Sequence, residues 1–276
     1  MTVQIPLPKS ARAEEIIDAA HVREVRHDVA YLRAALVNVA FIGGAAAGDR
    51  GWILIDTGVV GTKREIVAAA ASRFGANSRP AAIIQTHGHF DHIGALEALS
   101  DEWDVPIYAH TLEHPFLTGQ QSYPAPDTSA EGGIMPKLAP LFPRSPIDVS
   151  RRLQALPSDG SVPYAPGWRW IHTPGHTPGH VSLWRDADKT LVAGDAIITT
   201  GQESAYEVAV QEPEMHGPPR YFTPDWKSAA RSARELAALE PDLIVCGHGR
   251  AMAGPEMLTA LHTLADNFEM IALPHS

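Results

Sequence analysis

Thr86-His87-Gly88-His89-Phe90-Asp91-His92 lies between a short apolar run, Ala81-Ala82-Ile83-Ile84, and a stretch of helical pattern. Three imidazoles and a carboxylate fall within six positions. Such groups are costly to bury unless something pairs with them, and a metal ion would do so. The apolar run carries no charge and begins just after Pro80, so it reads as a buried strand whose end releases the polar residues into a loop. His87 and His89 are two apart in extended backbone, where alternate side chains share a face. Asp91 is expected to N-cap a helix beginning near His92, with one carboxylate oxygen left over. For any single histidine the ordinary reading is a surface or hydrogen-bonded core position. No packing argument asks for three of them here.

The chain has 276 residues, 45% hydrophobic and 20% charged, an ordinary composition for a globular protein with a substantial core. A net charge of −10 argues against a nucleic-acid partner, because phosphate binding leans on a basic surface. The one cysteine, Cys246, excludes an internal disulfide and a thiolate-rich zinc site, and suits a reducing cytoplasm. Residues 1–20 hold early prolines and the acids Glu14, Glu15 and Asp18, with no apolar core of signal-peptide length. No segment approaches the ~20 apolar residues of a membrane helix. The expectation is a soluble, cytoplasmic protein with a small-molecule substrate and no membrane partner; a homodimer is left open.

Residues 1–20 read as a loose start followed by a short helix. Strands are expected over 29–32, 36–42, 52–55, 81–85, 105–108, 168–171, 181–184, 190–193 and 243–245, and helices over 63–74, 93–99, 224–239 and 255–270. In the third helix, Thr223 is the candidate N-cap and Pro224 the first helical residue. Strand and helix alternate, which means an α/β layered domain. Residues 113–167 are proline-rich and aperiodic, and a stretch of that length in a compact domain is usually functional. It is expected to form a lid, with Phe116, Tyr123 and Phe142 favouring a folded cover. Residues 201–223 form a second irregular segment. The whole chain, 1–276, is read as a single domain.

Three later stretches repeat the pattern of polar residues released from an apolar strand. His172-Thr173-Pro174-Gly175-His176-Thr177-Pro178-Gly179-His180 follows Trp170-Ile171, Gly194-Asp195 follows Leu191-Val192-Ala193, and Cys246-Gly247-His248-Gly249 follows Leu243-Ile244-Val245. Each places a His or Asp beside glycine, where the backbone can come close to an ion or a neighbouring loop. Gly194-Asp195 alone is a turn. Together with the histidine cluster these stretches read as one site.

The order THGHFDH, TPGHTPGH, GD and GHG from Thr86 to Gly249, with LIDTG at Leu54 to Gly58, resembles the metallo-β-lactamase superfamily. The resemblance implies an αββα sandwich, two mixed sheets flanked by helices, with metals where strand-end loops meet. It implies that His87, His89 and His176 bind one metal, that Asp91, His92 and His248 bind a second, and that Asp195 bridges them. Imidazole and carboxylate ligands without thiolate suit two zinc ions and also tolerate iron or manganese. His180 and Asp56 are assigned to orienting the ligands, since metal-bound groups routinely need a second hydrogen bond. Cys246, behind an apolar strand, reads as a buried, inert thiol.

The implied chemistry is hydrolysis by a metal-bridging hydroxide, with Asp91 accepting and donating protons. Substrate class is read from departures. A thioesterase of the glyoxalase II type would carry a C-terminal helical extension with basic residues, whereas only a short helix follows Gly249 and Arg250 is the lone base. Quorum-quenching lactonases place a tyrosine three residues after the bridging aspartate, where this chain has Ile198. True β-lactamases of the family usually lack an aspartate at the position of Asp195. An ester, lactone or related carbonyl substrate is expected, with a mononuclear iron enzyme of the sulfur-dioxygenase type as the competing class. Tyr206, Met215, His216, Tyr221 and Phe222 are candidates for the substrate wall.

Overall fold

The computed structural model describes residues 4–126, 147–202, 206 and 210–273. They divide into two compact units, the first built on 14–123 and 147–170, the second on 4–13, 124–126 and the described part of 171–273. Strand β1 (Ile5–Pro6) belongs to the second unit.

The first unit holds a mixed sheet of eight strands lying side by side in sequence order. These are β2 (Ile16–Ile17), β3 (Arg23–Arg26), β4 (Val29–Ala34), β5 (Val37–Ile42), β6 (Ile53–Ile55), β7 (Ile83–Ile84), β8 (Ile107–Ala109) and β9 (Leu153–Ala155). Strands β2 to β6 pair antiparallel and β6 to β9 parallel. Parallel neighbours need crossovers, supplied by α1 (Lys63–Phe74) between β6 and β7 and α2 (Leu96–Trp103) between β7 and β8. A helical turn, α3 (His114–Leu117), follows β8. The apolar faces of α1 and α2 meet the sheet in one core that includes Leu54, Ile66, Phe74, Leu99 and Trp103. Trp52 stacks on Phe74 there at 4.3 Å and donates its indole N–H to Ser78 Oγ at 2.9 Å, which satisfies its polar atom. The register pairs Ile55 with Ile84, so Asp56 and Gln85-Thr86 leave adjacent strands at the same end.

In the second unit β1 pairs with β13 (Glu214–Met215). The larger sheet runs β10 (Trp168–His172), β11 (Val181–Arg185), β12 (Thr190–Gly194), β14 (Leu243–Cys246) and β15 (Met252–Ala253). β11 and β12 form a hairpin, and β12 runs parallel to β14 across the crossover helix α4 (Trp226–Ala238). Helix α4, with α5 (Gly254–Asp266) and α6 (Phe268–Ile271), covers a core of Trp184, Leu191, Ile244, Leu236, Leu264 and Phe268. Gly194 pairs with Cys246 across a bulge, so Asp195 and His248 emerge at one end of neighbouring strands. The architecture is therefore α/β, two mixed sheets each carrying helices. Among the described residues no helix is long and apolar enough to cross a membrane.

Several boundaries depart from the sequence expectation. The start holds a 3-10 turn at Lys9–Ala11 and the edge strand β2 in place of a short helix. Helix α2 begins at Leu96 rather than near His92, and its N-cap is Ala95, so Asp91 does not cap it. The cause is tertiary: Gly94 N–H is bound to Gly58 O at 2.7 Å and Ala95 N–H to Thr57 O at 3.3 Å, which holds the loop open past Ile93. Asp225, not Thr223, caps α4, accepting from Ser228 N–H at 3.0 Å. The closing helix is split into α5 and α6 at Asn267. Residues 113–167 are not wholly irregular, since they contain α3 and the edge strand β9. Residues 127–146, the middle of the expected lid, lie outside the described residues.

Candidate metal centre

Every proposed ligand leaves the end of a strand, where the ladder of backbone bonds stops and a side chain can turn toward the loops. In the first unit the organising residue is Asp56, just past β6, in the left-handed region at φ 59°. A non-glycine residue there is strained. Its carboxylate accepts Thr86 N–H at 2.8 Å through Oδ1, and the Thr86 hydroxyl at 2.7 Å and the His92 ring at 2.8 Å through Oδ2. A carboxylate only accepts, so His92 carries its proton on Nδ1 and its lone pair on Nε2.

The same accounting fixes His87. The Thr86 hydroxyl spends its one proton on Asp56, so toward His87 Nδ1, 3.0 Å away, it accepts. The lone pair of His87 is then on Nε2, which lies 3.1 Å from His89 Nδ1. Two tetrahedral ligands at about 2.05 Å from zinc sit ~3.3 Å apart, so this pair is spaced as two nitrogens on one ion. Asp91 is buried in the turn that follows.

The second unit holds the remaining candidates. His176 Nε2 lies 3.5 Å and His248 Nε2 3.3 Å from the same oxygen, Asp195 Oδ2, and all three side chains are buried. Thr223 donates its hydroxyl proton to Pro219 O at 2.7 Å, so it accepts from His176 Nδ1 at 3.1 Å, and His176 too presents Nε2. His180 behaves differently. Ser182 donates to Ala193 O, Thr173 donates to Ser182, and Thr173 therefore accepts from His180 Nδ1 at 2.8 Å. His180 Nε2 accepts the backbone N–H of Asp195 at 2.9 Å. Both of its nitrogens are engaged, and it holds the backbone of Asp195.

Cys246 is buried, and burial together with the nearby Asp195 carboxylate pushes its thiol pKa up, which disfavours the reactive thiolate. Among the substrate-wall candidates, Met215 is in the second unit's core and His216 is buried with Nδ1 2.9 Å from Gly217 O. Tyr221 is buried, its ring 4.8 Å from that of Phe222 and its hydroxyl on Gln202 O at 3.4 Å. Tyr206 is 68% exposed. Sequence reasoning did not reach the orienting roles of Thr86, Thr173, Ser182 and Thr223. Thr223 stands 47 residues from His176, and no spacing rule links them. It also missed Glu113 and Tyr123, which meet at the Gly88 amide. Burial and the Glu113 carboxylate hold the Tyr123 phenol well above its usual pKa.

Residues 32–248 match the family model of the metallo-beta-lactamase superfamily. The probable metallo-hydrolase YflN of Bacillus subtilis (strain 168) is 48% identical over 240 residues, covering 87% of this chain and 90% of that protein. Among solved structures, a beta-lactamase domain protein from Burkholderia ambifaria aligns with a TM-score of 0.64 at 20% identity, covering 96% of this chain and 80% of that one. TTHA1623 in a di-iron-bound form aligns with a TM-score of 0.52 at 25% identity, covering 81% and 92%. With more than half its length in the family model and a relative of that identity, this chain belongs to the metallo-beta-lactamase superfamily.

Proposed function

We propose that the protein is a dinuclear metal-dependent hydrolase that cleaves an ester, lactone or related carbonyl bond of a small molecule. His87, His89 and His176 are assigned to one ion, Asp91, His92 and His248 to the second, and Asp195 to the bridge; these are donor sets of the kind that hold metals. The observation that carries the reading is proton placement. His87, His92 and His176 are each pinned through Nδ1 by a side-chain oxygen, so each offers Nε2 as a preset lone pair. Structural histidines have no need of that common orientation.

Two divalent ions would supply a water of lowered pKa and polarise the carbonyl under attack. Asp91 takes the proton of the attacking water and returns it to the leaving alkoxide. Asp56 and His180 keep the ligand loops in place, and buried Ile198 gives no hydroxyl to the oxyanion, so a lactone substrate would rely on other groups. Zinc is the proposed metal. The di-iron form of one structural relative makes iron the specific competitor.

Metal analysis of protein purified without added metal, followed by assays of lactones, aryl esters, thioesters and phosphodiesters with zinc, manganese and iron, tests the reading. Carbonyl-ester hydrolysis lost together with metal in His89→Ala and Asp195→Ala is the expected result. Wild-type hydrolysis and metal content in both variants would overturn it. So would a single iron per chain with oxygen uptake and no hydrolysis.

A further inference from the structure

Gly88 separates the two proposed ligands His87 and His89. A glycine leaves the backbone permissive, so the peptide between two ligands needs an outside restraint if their nitrogens are to hold a fixed spacing. Two side chains supply one. Gly88 N–H donates to Glu113 Oε2 at 3.0 Å and lies 3.0 Å from the Tyr123 hydroxyl oxygen. The Tyr123 hydroxyl donates to that same Glu113 oxygen, closing a three-membered arrangement. Glu113 is fully buried. The Tyr123 ring stacks on Phe116 at 3.9 Å and meets His89 edge-on at 4.5 Å.

The fit is reciprocal. A Cβ added at Gly88 would stand 2.7 Å from the Tyr123 hydroxyl oxygen and 3.3 Å from Leu117 Cδ2, so the loop accepts the phenol only because position 88 has no side chain. The tyrosine proton is committed to Glu113, so this hydroxyl is a poor candidate for stabilising a substrate oxyanion. Its partners are the Gly88 amide and the Glu113 carboxylate.

We propose that Glu113 and Tyr123 are positioning residues that clamp the Gly88 amide and so set the spacing of the His87 and His89 nitrogens for a metal ion. The inference rests on the metal-site reading above and extends it to two residues outside the ligand set. Groups that orient metal ligands typically change affinity about 10- to 100-fold when removed.

Cobalt(II) titration of the full chain, with chelator competition for affinity and visible absorption for ligand geometry, is the test. Tyr123→Phe keeps both ring contacts and removes only the hydroxyl. It is expected to leave the metal-free protein folded, with its thermal midpoint lowered only by the loss of one hydrogen bond to Glu113, to weaken cobalt binding by about tenfold or more, and to alter the absorption band. Glu113→Gln should act in the same direction; if it fails to fold, Tyr123→Phe carries the test alone. Gly88→Ala should bind weakly, and the double variant Gly88→Ala/Tyr123→Phe should regain part of the loss because the clashing oxygen is gone. A wild-type chain that binds no cobalt overturns the metal-site reading itself. A wild-type chain that binds it, with Tyr123→Phe identical in affinity and spectrum, overturns the clamp and leaves that reading standing.

Discussion

At the residue scale, the side-chain oxygens of Asp56, Thr86 and Thr223 fix which nitrogen of His92, His87 and His176 carries the proton. Asp56 accepts from Thr86 twice and from His92 once, so removing its charge should disturb both histidines that depend on it. Asp56→Asn puts a donor NH2 group where acceptors are needed, so either the Thr86 amide or the His92 ring is left facing a donor. Metal affinity measured by chelator competition should fall about 10- to 100-fold with folding retained, and unchanged affinity would mean His92 is held by something else. Thr223→Val removes the acceptor for His176 Nδ1 without touching the first unit, and a smaller loss in the same assay is expected. Gly94 offers a purely steric test. A Cβ there would lie 2.1 Å from the carbonyl carbon of Val59, backbone that cannot swing aside. Gly94→Ala should cost about 3 kcal/mol in denaturant unfolding, at the upper end of overpacking effects.

At the element scale the cap of α4 carries a pH signature. Asp225 accepts from the Ser228 amide at 3.0 Å and from its hydroxyl at 2.6 Å, and these bonds hold its carboxyl below the usual range. A depressed folded-state pKa contributes stability that is present above the unfolded value and lost as pH falls through the folded one. Asp225→Ala should therefore cost about 1 kcal/mol near neutrality, as caps do, and the difference between variant and wild type in thermal unfolding should shrink below about pH 4. A gap that persists at low pH would mean the cap acts through packing. The same helix shows what the sequence conceals. Thr223 and Asp225 are both acceptable caps by residue type, and the choice is made by His176 and Pro219, which occupy Thr223. The start of α2 is set likewise by Gly58 and Thr57 capturing two amides from a strand end far back in the chain. Long apolar strands such as β5 and β12 were legible because both faces are buried and the residues run without charge. The short edge strands β2 and β9 were not, because their pairing is decided by a neighbour and not by their own pattern.

At the scale of the whole molecule, each unit has its own core. The proposed ligands and the orienting Asp56 stand out in the sequence because glycine and strand ends frame them; the supporting hydroxyls of Thr86, Thr173 and Thr223 do not, since they reach their partners only through the fold. Metal held by the proposed ligands would bind the native chain and not the unfolded one, raising stability by RT ln(1 + [L]/Kd). At free metal a thousandfold above Kd that is about 4 kcal/mol, which for a chain of this size corresponds to a fall of about 10 °C in thermal midpoint on chelation. His87→Ala and His248→Ala should each unfold near the chelated wild-type midpoint and respond weakly to added metal. Calorimetry of the three proteins with and without chelator reads this directly. A wild-type midpoint that ignores chelation, or one that either variant matches in full when metal is restored, would overturn the proposed role of that histidine as a ligand.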